Sequence, residues 1–196
     1  MSNPRQNLFD LSGEVAVIIG GTGVLGGSLA EGLALAGAAV AVCGRSKDRG
    51  EPRAHALRAA GCKAQFIACD AQDATSLKQA HAEIVKTLGE PTVLVNAAGG
   101  NDPRVTVVGD KKFEQIQLAD WMGNYELNLV GGCLLPCQEF GPGMVARQKG
   151  SIINIASVSA HLPLSRVVAY SSAKAAVMNL TKFLAREWAT AKVRVN

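Results

Sequence analysis

Aromatic and charged side chains are both scarce in this chain of 196 residues, at 5% and 18% of the sequence. The 20 basic residues exceed the 16 acidic ones only slightly, and they form no run interleaved with aromatic residues, which argues against a nucleic-acid partner. No stretch is long and apolar enough for a transmembrane helix, and residues 1–9 contain no apolar signal core. We therefore expect neither a membrane partner nor a secretory leader.

Cysteine is limited to five residues, an odd number, and most of them lie inside apolar runs. They are Cys43, Cys62, Cys69, Cys133 and Cys137. This pattern indicates reduced thiols and a cytoplasmic location. Cys133 and Cys137 are one helical turn apart, but no histidine or cysteine cluster accompanies them, so core packing is favoured and no metal site is predicted.

Apolar sequence, at 48%, and glycine, at 21 residues, are abundant. Apolar runs predict strands at residues 14–20, 38–44, 63–69, 92–96 and 152–156, and a sixth that begins at 192–196. Helical patterns between them cover about 24–37, 47–60, 73–88 (with Asp73 as N-cap), 119–135 and 167–189. Pro136 is expected to break or kink the chain before a further helix to about residue 148, and residues 100–117 are predicted to form a loop. This alternation predicts an α/β fold with a Rossmann-type doubly wound parallel sheet, in three α/β/α layers.

A glycine-rich turn joins the first predicted strand to the first helix. Gly20, Gly23 and Gly26 recur there at every third residue, and glycine allows the backbone to approach a ligand closely. The free N–H groups and the positive dipole end of the following helix favour an anion. The turn therefore predicts a phosphate site for a dinucleotide, with a tight turn for close helix packing as the alternative.

The residues after the second and third strands bear on the choice of cofactor. Arg45, Ser46 and Lys47 follow the second strand, where an acidic residue would bind the ribose hydroxyls of NAD. Two cations and no acid favour NADP(H) over NAD(H), unless both cations are solvated surface charges. Asp70, after the third strand, could accept a hydrogen bond from the adenine amino group or simply cap the next turn.

Three residues near the C-terminus suit proton transfer. Tyr170 and Lys174 are four residues apart and share one helix face, and the loop that contains Pro163 is long enough to bring Ser157 over that face. A nearby cation lowers the pKa of a phenol, which is ordinarily about 10. Ser157 could hold a substrate oxygen while its charge changes. The set predicts proton exchange with a ketone or an alcohol, although a tyrosine and a lysine at this spacing also occur by chance.

Together these residues resemble the short-chain dehydrogenase/reductase superfamily over essentially the whole chain. The pieces stand in the family's order: the glycine turn at 20–26, Asp70, Asn-Ala-Ala-Gly at 96–99, Asn128, Ser157, and Tyr170 with Lys174, where Tyr170 follows Ser157 at the family's spacing. The glycine turn departs from the family pattern. Ile19 stands where the family has threonine, and the middle glycine is at 23 instead of 24.

The resemblance implies a role for each residue. Tyr170 would be the general acid or base, Lys174 would lower its pKa and bind the nicotinamide ribose, and Ser157 would orient the reacting oxygen. Asn128 would hold a water of the proton relay, unless it only caps or bends its helix. The expected cofactor-binding residues are Gly20, Thr22, Gly23, Val24, Leu25, Gly26, Arg45, Ser46, Asp70, Ala71, Asn96, Ala97, Ala98 and Gly99, with Tyr170 and Lys174.

The family has a Pro-Gly turn, a substrate helix and a last strand beyond the sixth strand, and none of them is in this sequence. We therefore expect one NAD(P)-binding Rossmann domain over residues 1–196 that is incomplete at its C-terminus. By resemblance we also expect a homo-oligomer, a dimer or tetramer, that assembles through the long helices at 119–148 and 168–190.

A narrower resemblance concerns the glycine turn, the 96–101 segment and the 169–177 segment. They are similar to the subgroup of D-mannonate oxidoreductases (fructuronate reductases), which implies a sugar-acid ketone as substrate. The expected substrate residues are Asn101, Arg104, Ser159 and His161, with Lys111 and Lys112 nearby. The cations among them could meet a carboxylate or be ordinary surface charges.

The function predicted from the sequence is therefore an NAD(P)(H)-dependent oxidoreductase that interconverts a ketone and a secondary alcohol by hydride transfer. Two alternatives remain open, a non-catalytic sensor of NADP(H) and an inactive truncated fragment. The complete Ser157, Tyr170 and Lys174 set argues against the sensor, because a sensor needs no proton transfer.

Overall fold

A computed structural model describes residues 9–162, 164 and 166–196 of the chain. Its sheet has six parallel strands, β1 Val15–Ile19, β2 Ala39–Gly44, β3 Ala64–Ala68, β4 Val93–Asn96, β5 Gly150–Asn154 and β6 Val193–Val195. The strand order is β3-β2-β1-β4-β5-β6, so the chain reverses its direction of winding between β1 and β4. This is the predicted doubly wound sheet, and ligands bind at such a reversal point.

Helices connect the strands. They are α1 Val24–Leu35, α2 Lys47–Ala59, α3 Ala74–Thr87, α4 Leu118–Tyr125, α5 Leu135–Ala146 and α6 Val168–Glu187. Short 3₁₀ turns lie at Pro103–Val105, Phe113–Gln115, Val158–Ala160 and Ala189–Ala191. The predicted N-cap of α3 is confirmed, because the carboxylate of Asp73 accepts a hydrogen bond from the N–H of Thr75 at 2.8 Å.

The sheet is covered on both faces. Along β1, Val15, Val17 and Ile19 belong to the apolar cluster under α3, α5 and α6, whereas Ala16 and Ile18 belong to the cluster under α1 and α2. All five residues are buried, as the continuous apolar run predicts. Full burial of a side chain such as Ile18 contributes about 1.5–3 kcal/mol. The three-layer α/β/α arrangement follows from these two cores.

Of the break or kink expected at Pro136, the break is wrong, because the chain stays helical from α4 into α5. The residues between these helices, Glu126–Leu134, form a π-helix, in which hydrogen bonds run from i to i+5. Pro136 is the second residue of α5, and Leu135 separates it from this wide-turn segment. Because proline has no N–H, one backbone hydrogen bond is missing from the continuous helix at this point.

Strand β5 begins and ends two residues earlier than predicted. Its neighbour β4 ends at Asn96, and the last ladder contact is the N–H of Ile155 on the carbonyl oxygen of Asn96, at 3.0 Å. Ala156 therefore lies beyond the strand, in the segment that leads to Ser157. The expected loop at 100–117 is present, with Val105 fully buried as its anchor.

The loops on either side of the site are joined by one backbone hydrogen bond. The N–H of Val107 donates to the carbonyl oxygen of Arg166 at 2.8 Å, and Arg166 has a left-handed backbone with φ of 78°. Pro163, which was expected to break this second loop, lies outside the described residues. Within the described parts of the chain, no helix combines the length and the apolarity that a membrane span requires.

Candidate active site

The glycine turn lies between β1 and α1, as predicted, and close contacts explain its glycines. Gly20 has φ of +84°, and a Cβ atom added there would lie 2.6 Å from the amide nitrogen of Ala98. A Cβ on Gly26 would lie 2.3 Å from the carbonyl oxygen of Gly20. Gly23 begins α1 without any side-chain cap, so the first-turn amides are open to an anion.

A cleft of about 270 Å³ opens beside this turn, at the carboxyl ends of β1 to β4. Its lining includes much of the predicted cofactor set: Gly20, Thr22, Gly23, Arg45, Asp70, Ala71, Ala97, Ala98 and Gly99. Other residues that line it were not predicted: Ile19, Cys43, Gly44, Arg49, Cys69, Gln72 and Leu127. The structure thus brings residues from four strand ends to one cleft, at the point where doubly wound sheets bind dinucleotides.

Not every residue of the predicted cofactor set faces this cleft. Val24 and Leu25 are exposed on the first turn of α1, and Ser46 is the N-cap of α2 without a side-chain cap bond. Gly26 packs back on the turn and so serves close helix packing. Asn96 is buried and donates from Nδ2 to Oδ1 of Asn154 at 2.8 Å.

Two arginines stand at the rim of the cleft. Arg45 and Arg49 are both exposed, and within the described residues neither pairs with a carboxylate nor donates a hydrogen bond to the protein. Arg45 lies in the bend between β2 and α2, and Arg49 lies in the first turn of α2. Sequence reasoning missed Arg49, because no local pattern marks it as facing the cleft. Both cations are available to a phosphate group.

Of the two roles considered for Asp70, the structure shows the capping of the next turn. One carboxylate oxygen accepts a hydrogen bond from the N–H of Gln72 at 3.0 Å, which caps the turn after β3. Asp70 also lines the cleft, half-buried.

Lys174 is the best-buried cation of the site, with 4% of its surface exposed. Its Nζ atom donates to the carbonyl oxygen of Ile155 at 2.7 Å and lies 5.7 Å from the centre of the Tyr170 ring. Burial lowers the pKa of Lys174 below its ordinary value. The structure therefore places an ammonium and a phenol together at one end of α6.

Ser157 reaches the same end of α6, because α6 packs against the Val158–Ala160 turn that Ser157 begins. Its Oγ atom accepts hydrogen bonds from the hydroxyl of Ser159 at 3.0 Å and from the N–H of Ser159 at 3.2 Å. Since both bonds are accepted, the hydroxyl proton of Ser157 remains available to a substrate oxygen.

Asn128 is fully buried in the wide-turn segment and holds the turn after β4. Its Oδ1 atom accepts from the N–H of Gly100 at 2.9 Å, and its Nδ2 atom donates to the carbonyl oxygens of Gly100 at 2.8 Å and Asn124 at 3.0 Å. Both amide N–H groups are thus committed to the protein. A relay water at this side chain would have to donate to Oδ1.

The expected substrate residues divide into two groups. Arg104 is paired with the carboxylates of Asp102 at 2.7 Å and Asp120 at 3.0 Å, and Asn101 donates to the hydroxyl of Thr106 at 2.7 Å. These contacts tie Asn101 to its own loop, and they tie Arg104 to that loop and to α4. In the same loop, the Nζ atom of Lys111 donates to the carbonyl oxygen of Arg104, and Lys112 is exposed.

The second group stays near the reacting end of α6. Ser159 is buried beside Ser157, and His161 is exposed.

Cys43 and Cys69 form part of the cleft wall, whereas Cys133 and Cys137 lie in the core as expected. Burial raises the pKa of the Cys69 thiol to about 11. Burial also raises the pKa of the Cys43 thiol well above its ordinary value. No cluster of side chains suited to a metal ion occurs among the described residues.

The sequence matches known proteins. A family model described as short chain dehydrogenase matches residues 14–196 of the chain. An uncharacterized oxidoreductase of Bacillus subtilis, UxuB, is 35% identical over 195 residues, which cover 95% of this chain and 70% of that protein.

Two solved structures share the fold. One is a candidate D-mannonate oxidoreductase from Haemophilus influenza with bound NAD, with a TM-score of 0.91 and 30% identity over 95% of this chain and 70% of that one. The other is a gluconate 5-dehydrogenase from Burkholderia cenocepacia in complex with NADP and tartrate, with a TM-score of 0.86 and 30% identity over 96% of this chain and 71% of that one. Neighbours of this fold thus hold either dinucleotide.

Proposed function

Because the chain belongs to the short-chain dehydrogenase family, it is an oxidoreductase that acts on CH–OH groups, and we propose that it interconverts the ketone and the alcohol of a sugar acid with NADP(H). The observation that carries the proposal is the placement of buried Lys174 beside Tyr170, with Ser157 at the same end of α6. This set provides a proton donor, a cation and a hydrogen-bond donor for one reacting oxygen.

The cleft has the features that a dinucleotide needs. Its glycine turn leaves no room for side chains at Gly20 and Gly26, and the start of α1 offers uncapped amides to a pyrophosphate. When bound, the nicotinamide supplies or accepts the hydride. Arg45 and Arg49, with no acid at the end of β2, support a preference for the additional phosphate of NADP(H).

The residues of this chain would handle the proton. In reduction, the Tyr170 hydroxyl gives its proton to the carbonyl oxygen, and the ammonium of Lys174 stabilises the phenolate that remains. Ser157 donates a hydrogen bond from its free hydroxyl to the same oxygen and holds it in place, while keeping its own proton. Asn128 keeps Gly100 in position behind the cleft. In oxidation, the same groups act in reverse.

The sugar-acid substrate is supported by the resemblance of the three sequence segments and by the names of the two structural neighbours. The paired state of Arg104 means that a substrate carboxylate would have to compete with Asp102 and Asp120 for it. A homo-oligomer and a cytoplasmic location remain predictions.

The test is a turnover assay on the purified chain with NADPH and NADH over a panel of keto sugar acids and simple ketones. The test variant is Tyr170→Phe, which removes only the phenol hydroxyl and is compared with the wild-type chain. We expect turnover to fall by about 10²-fold or more while cofactor affinity stays within about twofold. Strong residual turnover in Tyr170→Phe would contradict the proposed acid.

Two further results would redirect the proposal. Turnover of simple ketones alone would exclude the sugar acid. Tight NADPH binding without turnover of any ketone would favour the sensor.

A further inference from the structure

A chain of side-chain hydrogen bonds joins the ends of β4 and β5 to α6, at a point seven residues beyond Lys174. Asn96 of β4 donates from Nδ2 to Oδ1 of Asn154 on β5 at 2.8 Å, and Asn154 donates from Nδ2 to the hydroxyl of Thr181 on α6 at 2.9 Å. The hydroxyl of Thr181 in turn donates to the carbonyl oxygen of Val177 at 2.8 Å. Because Asn96 and Asn154 are buried, the bond between them is shielded from water, and the two bonds of half-buried Thr181 are partly shielded.

Helix α6 is therefore bonded to the end of β5 at two points. One is Thr181 on Asn154, and the other is Lys174 on the carbonyl oxygen of the next residue, Ile155. The two helix residues are seven apart and so lie on one face of α6. The backbone of Ile155 is itself held in place, because its N–H donates to the carbonyl oxygen of Asn96.

We infer that Asn154 and Thr181 are positioning residues. They fix the position of α6 along its own axis relative to β5, and they thereby hold Lys174 and Tyr170 at the correct distance from Ser157. The inference rests on the proposed function, which gives Lys174 its part in the reaction. Of the three N–H donors of Lys174, one is used by Ile155. With Thr181 holding the helix, the other donors are not required to anchor it.

Without the Thr181 bond, only the bond from Lys174 to Ile155 would remain of these two polar contacts between α6 and the end of β5. A small axial shift of α6 would then move Tyr170 away from the reacting oxygen, and a misplacement of about 1 Å can lower a rate by about 100-fold. The network thus fixes the distance between Tyr170 and the reacting oxygen, in addition to stabilising the core.

The test observes Lys174 directly. Burial lowers the pKa of Lys174, and the titratable groups that face it are Tyr170 on its own helix and Cys133 on the wide-turn segment. In a chain labelled with ¹⁵N-lysine, the Nζ resonance of Lys174 is identified by its loss in Lys174→Met. Its titration midpoint reports how closely α6 sits on β5.

Thr181→Val keeps the shape of the side chain and removes the hydroxyl. We expect it to move the Lys174 midpoint up, toward the ordinary lysine value, by about half a pH unit or more, because water reaches a loosened ammonium. Thr181→Ser keeps the hydroxyl and should leave the midpoint unchanged. Thr181→Ala, with its higher helix propensity, replaces the valine variant if that variant does not fold.

Leu184→Ala is the matched control, because it loosens the core packing of the same helix without touching the network. An unchanged midpoint in Thr181→Val, or an equal shift in Leu184→Ala, would overturn the inference. Neither readout needs turnover, so an inactive wild-type chain would contradict the proposed function and leave this test intact. In an active chain, Thr181→Val should lower kcat and leave KM for the ketone within about twofold.

Discussion

The Nζ atom of Lys174 lies 2.7 Å from the carbonyl oxygen of Ile155, two residues before Ser157. One hydrogen bond thus joins the strand that leads to the serine with the helix that carries the tyrosine. The bond places a cation where little water reaches it, and four consequences of the site's geometry can be measured.

Lys174 should make the stability of the fold depend on pH. Burial lowers its pKa in the folded state, so below that pKa the folded protein bears the full penalty of a buried charge. As pH rises toward the unfolded pKa of about 10.4, the folded state loses the proton first and the penalty disappears. We expect the unfolding free energy of Lys174→Met minus that of wild type to fall between pH 7 and pH 10.

Urea denaturation at several pH values measures this difference. Lys182→Met, an exposed lysine on the same helix, should show no such trend. A difference that grows with pH would show that the ammonium stabilises the fold.

Arg45 and Arg49 should separate the two cofactors. Arg45→Ala and Arg49→Ala each remove a charge that can bond the additional phosphate of NADPH, so we expect NADPH affinity to fall by about tenfold or more and NADH affinity to change little. Fluorescence titration with each cofactor measures both constants. Lys47→Ala, between them in sequence but outside the cleft lining, is the control. Equal losses for NADPH and NADH would mean that the arginines bind another part of the cofactor.

The glycines of α1 should respond oppositely to alanine. In Gly26→Ala the new methyl group meets the backbone of Gly20 at 2.3 Å, so we expect a loss of about 1–3 kcal/mol together with weaker cofactor binding. In Gly32→Ala, within the same helix, the methyl group meets nothing within 4 Å, and we expect a gain of about 0.5–1 kcal/mol. Chemical denaturation of both variants measures the contrast. A harmless Gly26→Ala would show that the turn can relax.

Cys69 should be nearly inert to alkylation at neutral pH. Its pKa is raised to about 11 by burial, so at pH 8 only about 0.1% is thiolate, against about a quarter of an ordinary thiol. We expect iodoacetamide to modify half-buried Cys62 first, with Cys69 reacting as pH approaches 11. Peptide mass mapping measures each site, and NADPH should protect Cys69 but not Cys62. Rapid modification of Cys69 at pH 7 would contradict its buried state.

The parts of the fold that the sequence predicts correctly are those that local pattern determines. The apolar run of β1 requires burial on both faces, and the glycine spacing of the first turn reflects backbone approach within a few residues. The four-residue step from Tyr170 to Lys174 likewise places both on one helix face wherever that helix packs.

Other features depend on partners distant in sequence. Asn128 was predicted to hold a relay water or to cap or bend its helix, and the structure adds its bonds to Gly100, 28 residues away. Arg104 was predicted to meet a substrate carboxylate or to be a surface charge, and it pairs with Asp120 of α4. The hydrogen bond that Asn154 donates to Thr181 joins residues 27 apart and leaves no local signal. Such choices among polar partners are made by tertiary packing, which a pattern of residue types does not encode.

The wide-turn segment Glu126–Leu134 separates the length of the chain from the orientation of the helix that follows it. Its hydrogen bonds run from i to i+5, so each of its turns holds more residues than a turn of an α-helix, in which each residue advances by about 100°. Loss of one residue from the segment would therefore be taken up by tightening these turns, and Cys137 and Phe140 would stay in the core they fill. Loss of one residue from the start of α5, which has no wide turn to tighten, would instead rotate every later side chain of that helix by about 100°. Among relatives of this protein, a gap of one residue should therefore be tolerated between Glu126 and Leu134 but not between Leu135 and Phe140.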